Sequence, residues 1–236
     1  MQKILISTIV RQRIKTLPLW FDQIMGLIEL NKSIDFSISV AENCSTDGSK
    51  EFLLDAIKKF SDAGVATYSL FEDLGTPYYG SIKSGPRTLL LAAQRNKTLN
   101  CPAFDTADKL CFVEPDIRYE PKEMSSLFSS KADLISARST LPGIPLYDTW
   151  ATRLDYSQEE WAGAVPTAKP LRVWSTFNCF AVARAEPFQE HLIRFDGVNP
   201  RTGKPDCDTV SVCEALHKHN CHEIYLHGGI TVEHLG

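Results

Sequence analysis

The stretch KLCFVEPDIRYEP, residues 109–121, decides how this chain folds. After Lys109 come Leu110, Cys111, Phe112 and Val113, a short apolar run of the kind that forms a strand buried on both faces. The run stops at Glu114 and Asp116, with Pro115 between them. Buried parallel strands belong to open α/β sheets, whose ligands sit in the crevice beyond the carboxyl ends of the strands. Two acids at such an end suit a divalent ion, because Mg²⁺ or Mn²⁺ takes one or two carboxylates and completes its shell with water and substrate phosphates. If the backbone stays extended across Pro115, both carboxylates point to one side. A solvated strand end would look the same, so the pair needs support from elsewhere in the chain.

Upstream, the same order of elements repeats. KILISTIV is a β-branched run, and LPLWFDQIMGLIEL places apolar residues at helical spacing. DFSISV alternates as a strand, a polar loop ENCSTDGS follows, and EFLLDAIKKF reads as an amphipathic helix with Thr46 or Asp47 as its cap. VATYSLFED is a third strand, and GPRTLLLAAQRNKTLN is a helix that follows the loop GTPYYGSIKSG. Four strands alternating with helices predict an α/β fold with a mainly parallel central sheet and helices on both faces. From about residue 140 the pattern changes to long loops shaped by prolines and aromatics. RVWSTFNCFAVAR then reads as a strand, DTVSVCEALHKHN as a helix and HEIYLHGGITVEH as a closing strand. One domain over 1–236 is expected, with a nucleotide-binding half to about residue 120 and an acceptor-shaping half from about 121.

Composition narrows the function classes. The 236 residues carry a net charge of −4 with no basic run, which argues against nucleic acid as a partner. ILISTIV is too short for a membrane span and lacks a cleavage pattern, so a soluble, cytoplasmic protein is expected. Seven cysteines without a CxxC pair imply a reducing compartment, and the sequons at Asn43 and Asn96 would matter only in a secretory pathway.

The remaining polar residues collect at predicted strand ends. Arg11 follows the first strand and Glu42 the second, where a carboxylate can hydrogen-bond a nucleoside. Arg87 and Arg95 lie eight apart, on roughly one helical face, and arginine suits bidentate contact with phosphate. His234, at the end of the closing strand, is a candidate third metal ligand. Asp206 and Asp208, in DCD, either start a helix favourably or place a carboxylate beside the sugar and acceptor, as a base or an orienting partner. HKHNCH, residues 217–222, shows no regular ligand face and no thiolate pair, and reads as a polar helix end rather than a zinc site.

Taken in order, several blocks resemble the GT-A glycosyltransferases, and among them the fungal capsule-associated α-1,3-mannosyltransferase family. They are IVRQRIKTLPLWFDQI, FSISVAENCSTDGSKEFL, RTLLLAAQRNKTL, LCFVEPDIRY, LYDTWATRLDY, VWSTFNCFAVARAEPF, DCDTVSVCEAL and ITVEH. Compact relatives without a membrane anchor, from large algal viruses whose capsid protein they glycosylate, are also similar in build. The resemblance implies a GT-A fold, a nucleotide-sugar donor (UDP- or GDP-sugar), Mn²⁺ or Mg²⁺ on its diphosphate, and transfer with retention to a glycan or glycoprotein. It puts the metal-binding pair at Glu114 and Asp116 and donor contacts at Arg11, Glu42, Arg87 and Arg95. Acceptor-side residues fall at Asp148, Trp150, Arg153 and Asp155, and the catalytic late acid is Asp206 or Asp208, depending on a one-residue alignment choice. Two other classes share part of the pattern. A nucleotidyltransferase or nucleotide-sugar pyrophosphorylase would carry a Gly-rich phosphate loop after strand one, where STIVRQRIKT has no glycine, and a noncatalytic sugar-binding module would bind glycan without nucleotide.

Overall fold

The computed structural model describes residues 1–80, 83–166 and 168–236. Strands and helices alternate through the first half: β1 (Gln2–Val10), α1 (Leu17–Leu30), β2 (Ile34–Asn43), α2 (Ser49–Asp62), β3 (Ala66–Glu72), α3 (Gly85–Thr98), α4 (Pro102–Thr106) and β4 (Lys109–Val113). There follow β5 (Ile117–Arg118), α5 (Pro121–Ser125), β6 (Leu134–Thr140), β7 (Pro170–Arg172), β8 (Phe180–Arg184), α6 (Glu186–Glu190), α7 (Asp208–Lys218) and β9 (Ile224–His234). Between β6 and β7 the described residues form loops, as the prolines and aromatics there imply.

All the strands join one sheet, in the order β3-β2-β1-β4-β8-β6-β9-β5, with β7 on the side of β9. The first four in that order are parallel, as expected. The parallel character then ends, because β8 runs antiparallel between β4 and β6, while β6 and β9 are parallel to each other. The α/β reading stands, with a mixed second half.

Strand alternation feeds two cores, one on each face. From β1, Ile4, Ile6 and Val10 enter one, with Leu17, Trp20, Ile24 and Leu27 of α1 and Phe60 of α2. Leu5 of β1 enters the other, with Leu110 and Phe112 of β4 and Val210, Val212 and Leu216 of α7. The spacing of the buried α1 residues is one helical face, and Trp20 meets the Phe60 ring edge-on at 5.9 Å.

Three local expectations need correction. The run RVWSTFNCFAVAR is not one strand: Arg172 closes β7 and Phe180–Arg184 form β8, and just before β8 Asn178 and Cys179 take left-handed backbone angles (φ 49° and 65°) that break the ladder. Gly48, rather than Thr46 or Asp47, stands at the cap of α2. Asp47 instead accepts from Ser49 N (3.0 Å) and Ile14 N (3.1 Å), tying the start of α2 to the loop after β1. Finally, Pro115 and Asp116 form a turn, so the chain is not extended between the two acids.

Candidate active site

The carboxyl ends of β1 and β4 open onto a cleft of about 480 Å³. Despite the turn at Pro115, Glu114 and Asp116 both line it. His234 arrives from the other end of the sequence: β5 pairs antiparallel with β9 so that Ile117 faces His234, and the imidazole Nε2 comes 3.5 Å from Asp116 Oδ2. Tyr147 packs against the His234 ring at 4.2 Å.

Each carboxylate is met by an arginine. Arg95, buried on α3, reaches Glu114 Oε1 (2.5 Å) and Asp208 Oδ2 (2.7 Å), with the rings of Phe195 and Phe177 5.6 and 5.8 Å from its guanidinium carbon. Burial opposes its charge, but the Glu114 and Asp208 carboxylates outweigh that and hold its pKa above the ordinary arginine value. Arg13 Nε lies 2.8 Å from Asp116 Oδ2. Burial pushes the Asp116 carboxyl up, as does its neighbour Glu114, against the opposing pull of Arg13 and His234. A cation placed here would therefore relieve a crowded pair of acids.

Of the nucleotide-side candidates, Glu42 and Arg11 line an adjoining cavity of about 460 Å³ that shares Arg11 and Tyr78 with the cleft. Glu42 is buried at the end of β2 and accepts from Ser45 N (2.8 Å), which folds the following loop over its pocket. Arg11 donates to Thr76 Oγ1 (3.1 Å) and to the Thr76 carbonyl (2.5 Å). Arg87 donates through Nε to the Gly80 carbonyl (2.8 Å) and lines the cleft with Arg95. Among the described residues, Arg11 Nε and Asn43 Nδ2 are buried without a hydrogen-bond partner, and both residues line the cleft. Buried donors of this kind call for an occupant with acceptor atoms.

The acceptor-side candidates divide. Asp148 and Trp150 line the cleft, and burial pushes the Asp148 carboxyl up to about 6. Lys83, itself paired with Glu160 at 2.9 Å, stands 5.3 Å from the centre of the Trp150 ring. Arg153 is buried and pairs with Asp206 Oδ1 at 2.6 Å. Asp206 also accepts from Asn199 Nδ2 (2.9 Å), so these two brace a loop and do not line the cleft. Asp155 is exposed and bonds only its own turn, through Ser157. Of the DCD acids, only Asp208 faces the cleft, and it reaches Arg95 rather than capping α7.

Sequence reading missed Arg13 and Cys179, both of which line the cleft. Arg13 was within reach: it follows Arg11 by two, and Gln12 between them has a left-handed backbone (φ 55°). Cys179 could not have been found, since its place depends on the left-handed pair that precedes β8. Its carbonyl accepts from Glu114 N (2.8 Å), fixing the first acid against the sheet.

Among the described residues no three acid, histidine or cysteine side chains form a preformed metal cage. The donor set does fit a Mg²⁺ or Mn²⁺ ion that draws its remaining ligands from phosphate and water, since two carboxylates with an imidazole beside them face one cleft.

Residues 3–219 match the sequence model of a family described as Cryptococcal mannosyltransferase 1. A comparison with curated protein sequences finds no match. Among solved structures, TarS 1-349 from S. aureus superposes with a TM-score of 0.59 at 14% identity, covering 99% of this chain and 60% of that one. A mannosyltransferase, PcManGT from Pyrobaculum calidifontis, solved with GDP-Man and Mn²⁺, gives 0.59 at 12% identity over 98% of this chain and 56% of its own. A mannosyl-3-phosphoglycerate synthase from Rubrobacter xylanophilus gives 0.52 at 14% identity, over 100% and 66%. At these identities the likeness establishes the GT-A fold, and the chain spans less than two thirds of the length of the first two structures.

Proposed function

Because this chain belongs to the Cryptococcal mannosyltransferase 1 family, we propose that it transfers a hexose from a nucleoside-diphosphate sugar to a hydroxyl of a glycan or glycoprotein, with retention at the anomeric carbon. The observation that carries the reading is the cleft itself: Glu114, Asp116 and His234 on one wall, arginines against the acids, and unpartnered donors on the nucleotide side. A divalent ion held by Glu114 and Asp116, with His234 beside them, would neutralise the charge that grows on the departing diphosphate.

The chain's own residues supply the rest. Glu42 and the loop that follows it take the nucleoside, while Arg11 and Arg87 border the path of the phosphates. Arg13 and Arg95 are drawn to the same charge, and stabilisation aimed at the leaving group lowers the barrier more than it tightens substrate binding. Asp148 and Trp150 border the acceptor side, where an apolar ring and a carboxyl of raised pKa suit a sugar and its hydroxyl.

Retention follows most simply by attack from the leaving-group face. The acceptor oxygen bonds to the anomeric carbon as the bond from that carbon to phosphate breaks, and a β-phosphate oxygen takes the proton. Asp208 is the late acid in the cleft, and its ion pair with Arg95 makes it a poor nucleophile for the two-step alternative.

The test is a thermal-shift titration with UDP and GDP, each with and without Mn²⁺ or Mg²⁺, followed by a hydrolysis assay of UDP- and GDP-sugars. One nucleotide is expected to raise Tm only when the ion is present, and Asp116→Asn to abolish that rise. A rise that ignores the ion, or survives Asp116→Asn, would remove the acid pair from the mechanism.

A further inference from the structure

One motif stands apart from the cleft. His217 lies in the last turn of α7 and His222 just before β9, and the reversal between them includes Asn220 in a left-handed conformation (φ 62°). This brings His217 Nδ1 to 3.0 Å from His222 Nδ1. The other nitrogen of His217, Nε2, lies 2.9 Å from the Trp174 carbonyl oxygen. A carbonyl can only accept, so Nε2 carries the proton and Nδ1 turns a lone pair toward His222. Histidines that ligate metals are oriented in this way, by donating the remote N–H to a backbone carbonyl. The His217 ring is further fixed by stacking on Trp174, with centroids 3.7 Å apart and planes at 17°. His222 is exposed, so an ion can arrive from solvent.

We propose that His217 and His222 form a two-histidine site for a borderline divalent transition ion such as Zn²⁺, Ni²⁺ or Cu²⁺, separate from the cleft and pinning the end of α7 to the start of β9. Metal–nitrogen bonds of about 2.05 Å set the ligand nitrogens roughly 2.9 Å apart at a right angle and roughly 3.3 Å apart in a tetrahedron. The 3.0 Å separation lies between these, so binding needs loss of the shared proton and a rotation of the exposed His222 ring that turns its lone pair toward a point shared with His217 Nδ1. Imidazole nitrogen favours these ions over Mg²⁺ and Mn²⁺, so the two sites should sort ions by chemistry. Cys221 does not join the pair, since its thiol points to the His219 carbonyl (3.7 Å), and water completes the ion's shell.

The experiment uses the whole protein without nucleotide, titrated with Zn²⁺ for Tm and with Ni²⁺ for tryptophan fluorescence. At a tenfold excess over its dissociation constant the ion shifts the folding equilibrium about elevenfold, a rise in Tm of about 3–6 °C. Ni²⁺ should quench the emission of Trp174, and Trp174→Phe should lose most of that quenching while keeping the Zn²⁺-induced rise. His222→Ala, at an exposed position, should abolish both responses, and Asp116→Asn should leave both intact. The proposal is overturned by the absence of a Zn²⁺ response, by one that persists in His222→Ala through another pair such as the stacked His191 and His219, or by one that disappears in Asp116→Asn.

Discussion

Asp148 shows how a single side chain records the cleft around it. In an unfolded chain its carboxyl titrates near 3.8, and in the folded protein burial raises it to about 6. Between these values the folded protein keeps a proton that the unfolded chain has lost. This contribution to stability is therefore full below about pH 4 and is lost as pH rises through about 6. Replacing the carboxyl by a neutral isostere removes the dependence, so urea unfolding of the wild type should lose on the order of 1–2 kcal/mol more than Asp148→Asn between pH 4.5 and 7, after allowing for its partial exposure. Equal slopes in the two proteins would mean that water reaches the carboxyl freely. At this scale the sequence was informative where a residue's type and its place at a strand end agree. Glu114, Asp116, Asp208 and His234 all reach the cleft. It was silent where a partner is distant in the chain, as for Arg153, which pairs with Asp206 outside the lining of the cleft. It was also silent on Asp155, since nothing local distinguishes an acid that closes its own turn from one that meets a ligand.

Among elements, α3 carries the most consequence, because it holds Arg87 and Arg95 over the cleft. Its position is set by a close contact with the loop before α7. A Cβ on Gly197 would stand 2.3 Å from Leu89 N, and the Gly197 carbonyl accepts from Thr88 Oγ1 at 3.0 Å. No side chain can yield to relieve such a clash, since the atoms met are backbone. Gly197→Ala should thus lower stability by about 1–3 kcal/mol, read as a lower urea midpoint at unchanged m, as the loop lifts from the helix. An unchanged midpoint would show the loop free to move. That contact spans more than a hundred residues and leaves no periodic trace, whereas the helix itself was legible from its apolar spacing. The same contrast governs the strands: β1 to β4 were legible as short apolar or alternating runs between helices, but β8 inserts antiparallel between β4 and β6, a long-range choice that strand patterning does not encode.

Across the whole molecule, burial is graded from the middle of the sheet outward. β4 is wholly buried and β1 nearly so, while β3, at one margin, is half exposed. Native-state amide exchange should accordingly be slowest in β1 and β4 and much faster in β3, with the slow group approaching the global unfolding free energy. Uniform protection in all three strands would contradict that gradient. The order of pairing also bears on how the protein is made. The parallel quartet β3-β2-β1-β4 is built from residues 2–113, so it can assemble while the ribosome is still translating. β5, immediately after the acid pair, has β9 as its partner strand among the described residues, and β9 is the last of the described strands to emerge. Until then Asp116 lacks the neighbour that β9 carries to it. A nascent chain stalled short of β9 would hold most of a scaffold and an unfinished rim, so the capacity to hold a ligand should appear abruptly, once β9 has left the ribosome.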